Sequence, residues 1–393
     1  MDDKGKVPLK IVFLGTHGQR NIGDELLLET FLHQLGPSHR YVVNTYDKAF
    51  TRNQLGERCN VELIDTAGDR RLLLRHLLSC DLLCFGGGSI IKELYKSTGR
   101  NRYATLLMIL ATVTFANIIG RKPIAMLNIG VGPITSRTGS FLARLILRQT
   151  DLLTVRDQLS HSTCSRIGLD ESDVLLATDA VFSADASWLL GGADAMAHHR
   201  SNSGPTKVAF NLNYDIENRD NWEYFLEQLA AALLDLNERH PIELHAVPMQ
   251  AGFKEHDDVS VLDDFAARVP SIVMHAHRPT TFVEAAHLIA ECDVLLSERL
   301  HAIIMASILG VPTYALAYDV KVSELASMLD IGDFSVDINQ CFSSHAISDG
   351  LAKLIVNQSR WTNHLLERST ALRDQARSNC DATRQWVDNA IRR

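Results

Sequence analysis

The stretch Cys292-Asp293-Val294-Leu295-Leu296-Ser297-Glu298-Arg299-Leu300-His301 joins a short apolar, β-favouring run to a second apolar run with helical character. The helical run, residues 302–309, ends at Gly310, and residues 311–316 read as the next strand. This order predicts a β-α-β unit. Arg299 and His301 then lie where a strand ends and a helix begins, the edge at which open parallel sheets bind their ligands.

Arg299 and His301 suit the chemistry of an anionic ligand. A guanidinium offers a fixed fork of N–H donors to a phosphate or carboxylate, and a histidine in the same turn can move a proton near neutral pH. The alternative is a helix-capping turn whose arginine pairs with a surface carboxylate. The stretch alone leaves both interpretations open.

The composition is that of a globular protein with two domains. The chain has 393 residues, 46% hydrophobic and 22% charged, enough for two hydrophobic cores. Its net charge of −8 does not favour a nucleic-acid partner. The seven cysteines are odd in number and lack C-x-x-C spacing, which favours reduced thiols in the cytoplasm. No residues have convincing metal-ligand spacing, so the sequence predicts no metal site.

Two segments bear on targeting and membranes. The N-terminal residues 1–7 run directly into a strand, which predicts that no signal peptide is present. The longest apolar segment, residues 104–119, is interrupted by Thr112, Thr114 and Asn117. It is slightly short for a bilayer span, and we expect a buried crossover helix rather than a membrane segment.

The first half begins with a strand at residues 9–14 and a turn, residues 15–25, with glycines at positions 15, 18 and 23. A turn that opens a helix presents backbone N–H groups and a positive dipole end, which suit a phosphate or sugar hydroxyls. The spacing matches neither the G-x-G-x-x-G dinucleotide motif nor a P-loop. The alternative is a tight turn in which Asp24 and Glu25 cap the helix, and that does not exclude a ligand role.

A second unit is predicted from residues 41–44 through Ile64. It is succeeded by four strands, each followed by a helical stretch, at residues 81–85, 123–129, 152–155 and 177–182. The first ends in Gly86-Gly87-Gly88-Ser89, and three glycines permit close approach of either a ligand or a tightly packed helix. The third of the four delivers Arg156 at its carboxyl end. This alternation predicts a doubly wound domain.

Periodicity is lost over residues 186–205, which we interpret as a linker. The second half then alternates again until residues 317–321, where we expect its sheet to end. The tail, residues 359–393, is predicted to be a helix that packs back across the first domain. One loop, residues 249–258, resembles a metal cluster, although adjacent aspartates more often cap a helix; its polar residues are Gln250, His256, Asp257 and Asp258.

Taken in order, short motifs from residue 18 to residue 321 resemble those of the polysaccharide pyruvyl transferases. They are Gly18-x-x-Asn21-Ile22-Gly23-Asp24-Glu25, Gly86-Gly87-Gly88, Gly130-Val131-Gly132-Pro133, Val155-Arg156-Asp157, Thr178-Asp179, Glu298-Arg299-Leu300-His301-Ala302, Gly310-Val311-Pro312 and Tyr318-Asp319-Val320-Lys321. The general plan resembles the α/β GT-B architecture. That plan implies two Rossmann-like domains, residues 1–185 and 206–393, with parallel sheets facing a cleft and a C-terminal helix returning to the first domain.

The resemblance implies transfer of the pyruvyl group of phosphoenolpyruvate to two hydroxyls of a sugar in a cell-surface or exopolysaccharide glycan. The products are a cyclic ketal and phosphate, and no cofactor is implied beyond phosphoenolpyruvate as co-substrate. On the donor side we expect Arg156 and Arg299 to bind phosphoenolpyruvate from both sides of the cleft, His301 to protonate its methylene carbon, and Lys321 to contact phosphate.

On the acceptor side, the first domain is expected to bind the sugar through the glycine loops, with Asp24 as a candidate base; the residues are Asn21, Gly23, Asp24, Gly86, Gly87 and Gly88. The segment Thr16-His17-Gly18-Gln19-Arg20 departs from the family pattern, which leaves the acceptor sugar open. A lipid-linked acceptor and peripheral association with the cytoplasmic membrane are further expectations.

Two other functions stay open. A GT-B glycosyltransferase would use a nucleotide sugar and usually holds the donor ribose with a glutamate, but Met305 occupies the comparable place here. A non-catalytic glycan-binding subunit on the same scaffold is the second alternative. The presence of Arg156, Arg299 and His301 counts against it.

Overall fold

The chain forms two α/β units, each built on one parallel sheet. The computed structural model describes residues 8–56, 58, 60–94, 101–192, 204–214, 216 and 218–390. The first unit contains the chain up to Gln19, Asp24–Ser183 and the C-terminal residues from Asp374 onward. The second unit contains Arg20–Gly23 and Ala184–Arg373.

In the first unit seven parallel strands follow the order β3-β2-β1-β4-β5-β6-β7. The strands are β1 Lys10–Leu14, β2 Arg40–Thr45, β3 Val61–Asp65, β4 Leu82–Gly86, β5 Ile124–Ile129, β6 Leu152–Val155 and β7 Leu175–Leu176. The helices are α1 Ile22–Leu35, α2 Lys48–Leu55, α3 Arg70–Ser79, α4 Ala104–Thr114 with a π-helical continuation Phe115–Gly120, α5 Arg137–Leu147 and α6 Gln158–Arg166. The strand order reverses between β1 and β4, which places the turn after β1 beside the three-glycine run after β4.

In the second unit six parallel strands follow the order β10-β9-β8-β11-β12-β13. The strands are β8 Thr206–Asn211, β9 Ile242–Ala246, β10 Val273–Ala276, β11 Val294–Ser297, β12 Thr313–Ala317 and β13 Ser335–Asp337. The helices are α7 Ala186–Leu189, α8 Trp222–Arg239, α9 Asp258–Ala266, α10 Phe282–Ala290, α11 Leu300–Leu309, α12 Val320–Met328 and α13 Ser344–Val356. The last helix, α14 Gln358–Ala390, begins in the second unit, and its residues from Asp374 onward belong to the first. Here the order reverses between β8 and β11, and Asn211 pairs with Ser297 at that switch point.

The C-terminal helix α14 returns to the first unit, as predicted. Its later turns bury Ala376, Cys380 and Val387. Arg384 Nε donates to the carbonyl oxygen of Gln34, and Asn379 Nδ2 donates to that of Leu176 at 3.4 Å. The last turns of α14 are therefore part of the first unit.

Two predicted sheet boundaries were wrong. Residues 177–182 do not form a strand: β7 is only Leu175–Leu176, and Ala180–Ser183 is a 3₁₀ turn. The Asp179 carboxylate accepts the backbone N–H of Val181 at 3.0 Å, and this local hydrogen bond turns the chain out of the sheet. The second sheet also continues past residues 317–321, because β13 pairs with β12.

The apolar segment 104–119 is a half-buried helix rather than a buried one. Leu106, Ile109 and Val113 face the core, whereas Ile118 and Ile119 are 68% and 62% exposed. Within the predicted linker, residues 186–189 form α7, and residues 193–203 lie outside the described part of the chain.

Candidate functional site

The site in the second unit begins with the turn between β11 and α11. Arg299 is the N-cap residue of α11, and its backbone N–H donates to Ser297 Oγ at 3.0 Å. The helix ends at Gly310, whose φ of +71° lies in the left-handed region that glycine adopts most readily. His301 is the second residue of α11, so it lies at the positive end of the helix dipole. The predicted strand–turn–helix order is confirmed.

The Arg299 side chain is held by a buried carboxylate. Its Nε donates to Asp258 Oδ2 at 3.1 Å, its Nη2 donates to Asp258 Oδ1, and Nη2 also lies 3.3 Å from Gln250 Oε1. Arg299 is 9% exposed and Asp258 is fully buried. This bidentate pair fixes the plane of the guanidinium, so a ligand phosphate would have to bind through the remaining donors of Arg299.

The Asp258 carboxylate is itself surrounded by donors. Oδ2 also accepts the backbone N–H groups of Met249 at 2.9 Å and Gln250 at 3.2 Å, and Nδ2 of Asn211 at 3.1 Å. Asp257 and Asp258 were both predicted to cap a helix. Asp257 does cap α9 by accepting the N–H of Ser260 at 2.9 Å. Asp258 instead holds Arg299, a role that its sequence position did not indicate.

Further buried polar side chains line the ends of β8 and β11. Asn211 Oδ1 lies 3.3 Å from Ser297 Oγ, and Glu298 Oε2 accepts the backbone N–H of Asn213 at 3.4 Å. All four residues are 0–1% exposed. The two asparagines were not among the predicted site residues. Their position is informative, because Asn211 is the last residue of β8 and Asn213 follows it, and β8 neighbours β11 at the switch point.

Residues 20–23 pair with the loop after β9. The backbone N–H of Ile22 donates to Met249 O at 2.8 Å, and Asn21 forms an isolated bridge with Gln250. A Cβ at Gly23 would overlap Nδ1 of His301, so the glycine permits the imidazole to pack directly on the backbone. The second unit therefore brings together four of the predicted site residues: Asn21, Gly23, Arg299 and His301.

Lys321 lies in the first turn of α12, after the strand next to β11. Its Nζ is 3.1 Å from Asp319 Oδ2, and the same carboxylate caps α12 by accepting the backbone N–H groups of Lys321 and Val322. The predicted phosphate contact by Lys321 stays a prediction.

In the first unit, Arg156 lies at the end of β6, as predicted, and is 7% exposed. Its Nε is 3.2 Å from Asp157 Oδ2, and its Nη2 donates to Ser89 Oγ at 3.2 Å. Ser89 directly follows the three-glycine run, so Arg156 is held at the same sheet edge as that run. Arg156 and Arg299 belong to different units, and joint binding of the donor by both stays a prediction.

Packing explains two of the three consecutive glycines. A Cβ at Gly86 would overlap the ring of Phe13, and one at Gly87 would lie 2.9 Å from Leu27 of α1. A Cβ at Gly88, whose φ is +70°, would meet only a threonine hydroxyl at 3.6 Å. The helix-packing alternative therefore accounts for Gly86 and Gly87, and Gly88 is the position with room for a ligand.

The turn after β1 buries two ionisable groups. His17 is 2% exposed, burial lowers its pKa to about 3, and neither ring nitrogen has a hydrogen-bond partner among the described residues. Glu25 Oε1 accepts the backbone N–H of Gly18 at 2.6 Å, and burial raises the pKa of Glu25 to about 7. Asp24 is less buried and accepts Thr16 Oγ1 at 3.2 Å. His17 was missed as a candidate because its burial is not evident from the sequence.

Comparison with solved structures shows the fold. Anabaena Alr3699/HepE in complex with UDP-glucose aligns with a TM-score of 0.62 and 16% identity, over 98% of this chain and 99% of that one. A Rickettsia africae glycosyltransferase aligns with a TM-score of 0.61 and 10% identity, over 98% and 99%. UDP-GlcNAc 2-epimerase from Neisseria meningitidis, bound to UDP-GlcNAc, aligns with a TM-score of 0.59 and 10% identity, over 93% and 99%. The chain has the GT-B fold, as predicted.

Comparison with protein families is more specific. No curated protein matches the chain. The family model of the polysaccharide pyruvyl transferases matches residues 21–320, a span that contains the three-glycine run, Arg156 and the turn that carries Arg299 and His301. The chain belongs to the polysaccharide pyruvyl transferase family.

Proposed function

We propose that the protein transfers the pyruvyl group of phosphoenolpyruvate to two hydroxyls of one sugar in a cell-surface or exopolysaccharide glycan. The observation that carries this proposal is the arginine–histidine turn at the start of α11. A buried carboxylate orients Arg299, and a backbone glycine positions the His301 ring. The Arg299 guanidinium and the His301 imidazole thus lie at the N-terminus of one helix, a position suited to binding an anion.

Phosphoenolpyruvate fits this arrangement chemically. It carries a phosphate and a carboxylate, and an arginine whose plane is already fixed loses little entropy on binding either group. The helix dipole of α11 adds a favourable field for the same anion. Neutralisation by arginine and backbone N–H groups requires no metal ion at this site.

The proposed reaction starts with proton transfer from His301 to the methylene carbon C3 of phosphoenolpyruvate. C2 then acquires oxocarbenium character and is attacked by the first sugar hydroxyl, which loses its proton to a base. The second hydroxyl attacks C2 as the C2–O bond to phosphate breaks, giving the cyclic ketal. Of the two hydroxyl protons, one makes up for the proton that His301 gave to C3, and the other leaves with inorganic phosphate. Asp24 is the candidate base, and it is less buried than its neighbour Glu25.

A glycosyltransferase that uses a nucleotide sugar is the second candidate. Of the three similar structures, two are complexes with a UDP-sugar and the third is a glycosyltransferase. GT-B glycosyltransferases that use a nucleotide sugar usually bind the donor ribose through a glutamate in the helix after the donor turn. Met305 holds the comparable place and is fully buried in the core, so it offers no carboxylate to a ribose. This favours phosphoenolpyruvate over a UDP-sugar as the donor, and the retained arginine and histidine favour an enzyme over a glycan-binding subunit.

Donor identity can be tested in two steps. Phosphoenolpyruvate should raise the melting temperature of the protein, whereas UDP-glucose should not, because only a ligand that binds the folded state stabilises it. Incubation with a glycan-lipid extract should then consume phosphoenolpyruvate and release inorganic phosphate, with a ketal detected on the glycan by mass spectrometry. A thermal shift and turnover with UDP-sugars alone would establish the glycosyltransferase, and donor-independent glycan binding would establish the non-catalytic subunit.

We also propose that the protein works in the cytoplasm, bound peripherally to the anionic inner face of the membrane, where a lipid-linked acceptor would be presented. Among the described residues no helix is long and apolar enough to cross a membrane. However, α4 and its π-helical continuation carry an exposed apolar groove of about 530 Å³. Leu107, Ile118 and Ile119, each at least half exposed, line this groove.

The positive charge of the residues around this groove favours an anionic lipid surface as its binding partner. Residues 94–150 contain eight Lys or Arg and no Asp or Glu, in a chain whose net charge is −8. Arg121, which directly follows the π-helix, is exposed. An apolar face flanked by basic residues is the pattern of an interfacial helix on anionic lipid.

Vesicle sedimentation tests this surface. The protein should sediment with phosphatidylglycerol vesicles and much less with phosphatidylcholine vesicles. Ile118→Glu should abolish this binding, whereas Val356→Glu, at a position 69% exposed in the second unit, should not. Equal sedimentation of both variants with anionic vesicles, or no sedimentation of the parent protein, would overturn the membrane proposal and leave the donor chemistry untouched.

A further inference from the structure

Strands β9 and β10, with His277 directly after β10, bring one carboxylate and three imidazoles to one face at the edge of the second sheet. The pairing register places His275 opposite His245, and Val273 opposite Glu243. Because side chains alternate along a strand, residues 243 and 245 face the same way, as do residues 275 and 277. The edge strand thus adds two imidazoles to the carboxylate and imidazole of its neighbour.

The spacing of the donor atoms matches the coordination sphere of a small divalent ion. Glu243 Oε1 is 3.1 Å from His245 Nε2, and Glu243 Oε2 is 3.4 Å from His275 Nε2. One ligand atom from each of the three residues lies within 4.8 Å of the ligand atoms of the other two. Tetrahedral zinc with nitrogen and oxygen ligands at about 2.0–2.1 Å requires ligand atoms about 3.3 Å apart, so only small side-chain adjustments are needed.

His277 supplies a partner for the outer nitrogen of His245. Its Nε2 lies 3.1 Å from His245 Nδ1, on the side of the ring away from Glu243. The rings of His245 and His277 are also stacked, with centroids 5.3 Å apart and an angle of 11° between their planes. If His245 donates its Nδ1–H to His277, its Nε2 presents a lone pair toward Glu243 and His275. An outer-sphere hydrogen bond of this type orients metal-binding histidines.

We propose that Glu243, His245 and His275 bind a divalent transition-metal ion, with Zn²⁺ as the best match, and that His277 orients His245. Two imidazoles and one carboxylate suit zinc and its neighbours in the first transition row, whereas Mg²⁺ and Ca²⁺ prefer oxygen ligands throughout. Three protein ligands leave a fourth position for water. His275 is exposed, so the ion could enter from solvent.

The site departs from the sequence-based prediction that the chain binds no metal. The three ligands and His277 form one Glu-x-His pair and one His-x-His pair, about thirty residues apart. Each pair follows the two-residue period of a strand rather than the short spacings of zinc motifs. The predicted effect of the ion is to cross-link an edge strand to its neighbour. It is separate from the chemistry of Arg299 and His301.

Zinc binding should be measured directly with the full chain, after treatment with a chelator and buffer exchange. Isothermal titration with ZnCl₂ should give one site per chain, and Zn²⁺ should raise the melting temperature. Co²⁺ should give the intense visible bands of a low-symmetry, four-coordinate site. Mg²⁺ should produce none of these effects.

Variants separate the roles of the four residues. His275→Gln and Glu243→Gln should each remove the titration signal and the Co²⁺ bands. His277→Gln should retain the bands and weaken affinity by roughly 10–100-fold, as expected for a residue that orients a ligand. His345→Gln, at an exposed position on α13, is the matched control and should bind zinc like the parent protein.

Two results would overturn the proposal. One is the absence of a saturable zinc site in the parent protein at micromolar concentrations. The other is equal zinc affinity in the parent, His275→Gln and Glu243→Gln proteins, which would show adventitious binding elsewhere. Far-UV circular dichroism of each variant shows whether it is folded, and Glu243→Gln and His275→Gln change different strands. Neither overturning result bears on donor turnover, so the two proposals fail independently.

Discussion

Asp258 and Arg299 form a buried, bidentate ion pair that joins the first turn of α9 to the N-cap of α11. The carboxylate accepts Arg299 Nε at 3.1 Å and Nη2, and it also accepts two backbone N–H groups and an asparagine amide. A buried charge without such partners would be strongly destabilising. The ion pair therefore keeps the Arg299 guanidinium in one orientation at the sheet edge.

Replacing Asp258 by Asn should both weaken the fold and misplace Arg299. Removing one partner of a buried ion pair costs about 3–5 kcal/mol, because the other charge stays buried and unpaired. We expect a lower melting temperature and a Michaelis constant for phosphoenolpyruvate raised roughly 10–100-fold, as one or two charge-assisted contacts are lost. Asp257→Asn is the matched control: Asn still caps α9 at the Ser260 N–H but cannot also accept the Gly252 N–H, so stability should fall less than in Asp258→Asn and the kinetics should barely change. Similar kinetics in both variants would show that the ion pair does not position Arg299 for binding phosphoenolpyruvate.

Gly23→Ala should lower turnover by displacing the His301 ring. A Cβ at this position overlaps Nδ1 of His301, so the imidazole must move. A displacement on the order of 1 Å can cost about 10²-fold in rate. Gly332→Ala is a suitable control, because a Cβ there meets no atom within 4 Å. Single-turnover rates at saturating phosphoenolpyruvate measure the effect, and an unchanged rate would remove His301 from the chemical step.

The sequence was sufficient for elements defined by local patterns. The apolar runs on either side of the Ser297–His301 turn predicted β11, α11 and the position of His301, because strand and helix periods are properties of neighbouring residues. The partner of Arg299 was not predictable in this way. Asp258 is 41 residues away and looks like its neighbour Asp257, a helix cap. Only the strand order reveals that the two loops meet.

The same limit explains the other errors. Residues 177–182 have a strand-like composition, but the hydrogen bond from the Val181 N–H to Asp179 replaces a ladder bond. The cluster of Glu243, His245 and His275 depends on the register of β9 against β10. Periodicity does not encode the register between two strands. Nor does it show where a side chain competes with the sheet for a backbone N–H group.

Two buried groups in the turn after β1 should give opposite dependences of stability on pH. Burial raises the pKa of Glu25 from 4.5 to about 7, so the folded protein retains a proton that the unfolded chain has lost, and stability falls as pH rises from about 4.5 to 7. Burial lowers the pKa of His17 from 6.5 to about 3, so the unfolded chain gains a proton first, and stability falls as pH drops from about 6.5 to 3.

Between pH 4.5 and 6.5 these two effects oppose each other, and single variants should expose them. Relative to the parent protein, the unfolding free energy of Glu25→Gln should rise with pH, and that of His17→Phe should fall. Each slope should approach about 1.4 kcal/mol per pH unit. Urea unfolding at pH 4.5, 5.5 and 6.5 measures them. Slopes of the same sign in both variants would contradict the assigned protonation states.

Removing metal should not stop catalysis. At the start of α11, the arginine and backbone N–H groups can neutralise the charge of phosphoenolpyruvate. The carboxylates of the loop already have partners, because Asp257 caps α9 and Asp258 binds Arg299. We expect turnover to survive EDTA, while the zinc-dependent increase in melting temperature is lost. If EDTA abolished turnover and Mg²⁺ restored it, the loop 249–258 would have to be reconsidered as a metal site.

Arg299→Lys should act mainly on donor binding. The lysine keeps the positive charge but cannot make the bidentate contact with Asp258, and it loses the planar fork that a phosphate or carboxylate would bind. Because the arginine is proposed to bind the donor in ground and transition states alike, the Michaelis constant should rise. The loss is on the order of 1–3 kcal/mol for a charge-assisted contact, with a much smaller change in kcat.

His301→Gln should act mainly on turnover, because His301 is proposed to transfer a proton. Glutamine keeps similar size and some hydrogen bonding, so donor binding, measured by the thermal shift with phosphoenolpyruvate, should be nearly intact. Turnover should fall by roughly 10²–10⁴-fold, the usual contribution of a general acid. If His301→Gln instead abolished the thermal shift while turnover per bound donor was unchanged, His301 would be a phosphate ligand. The acid that protonates C3 would then be another residue.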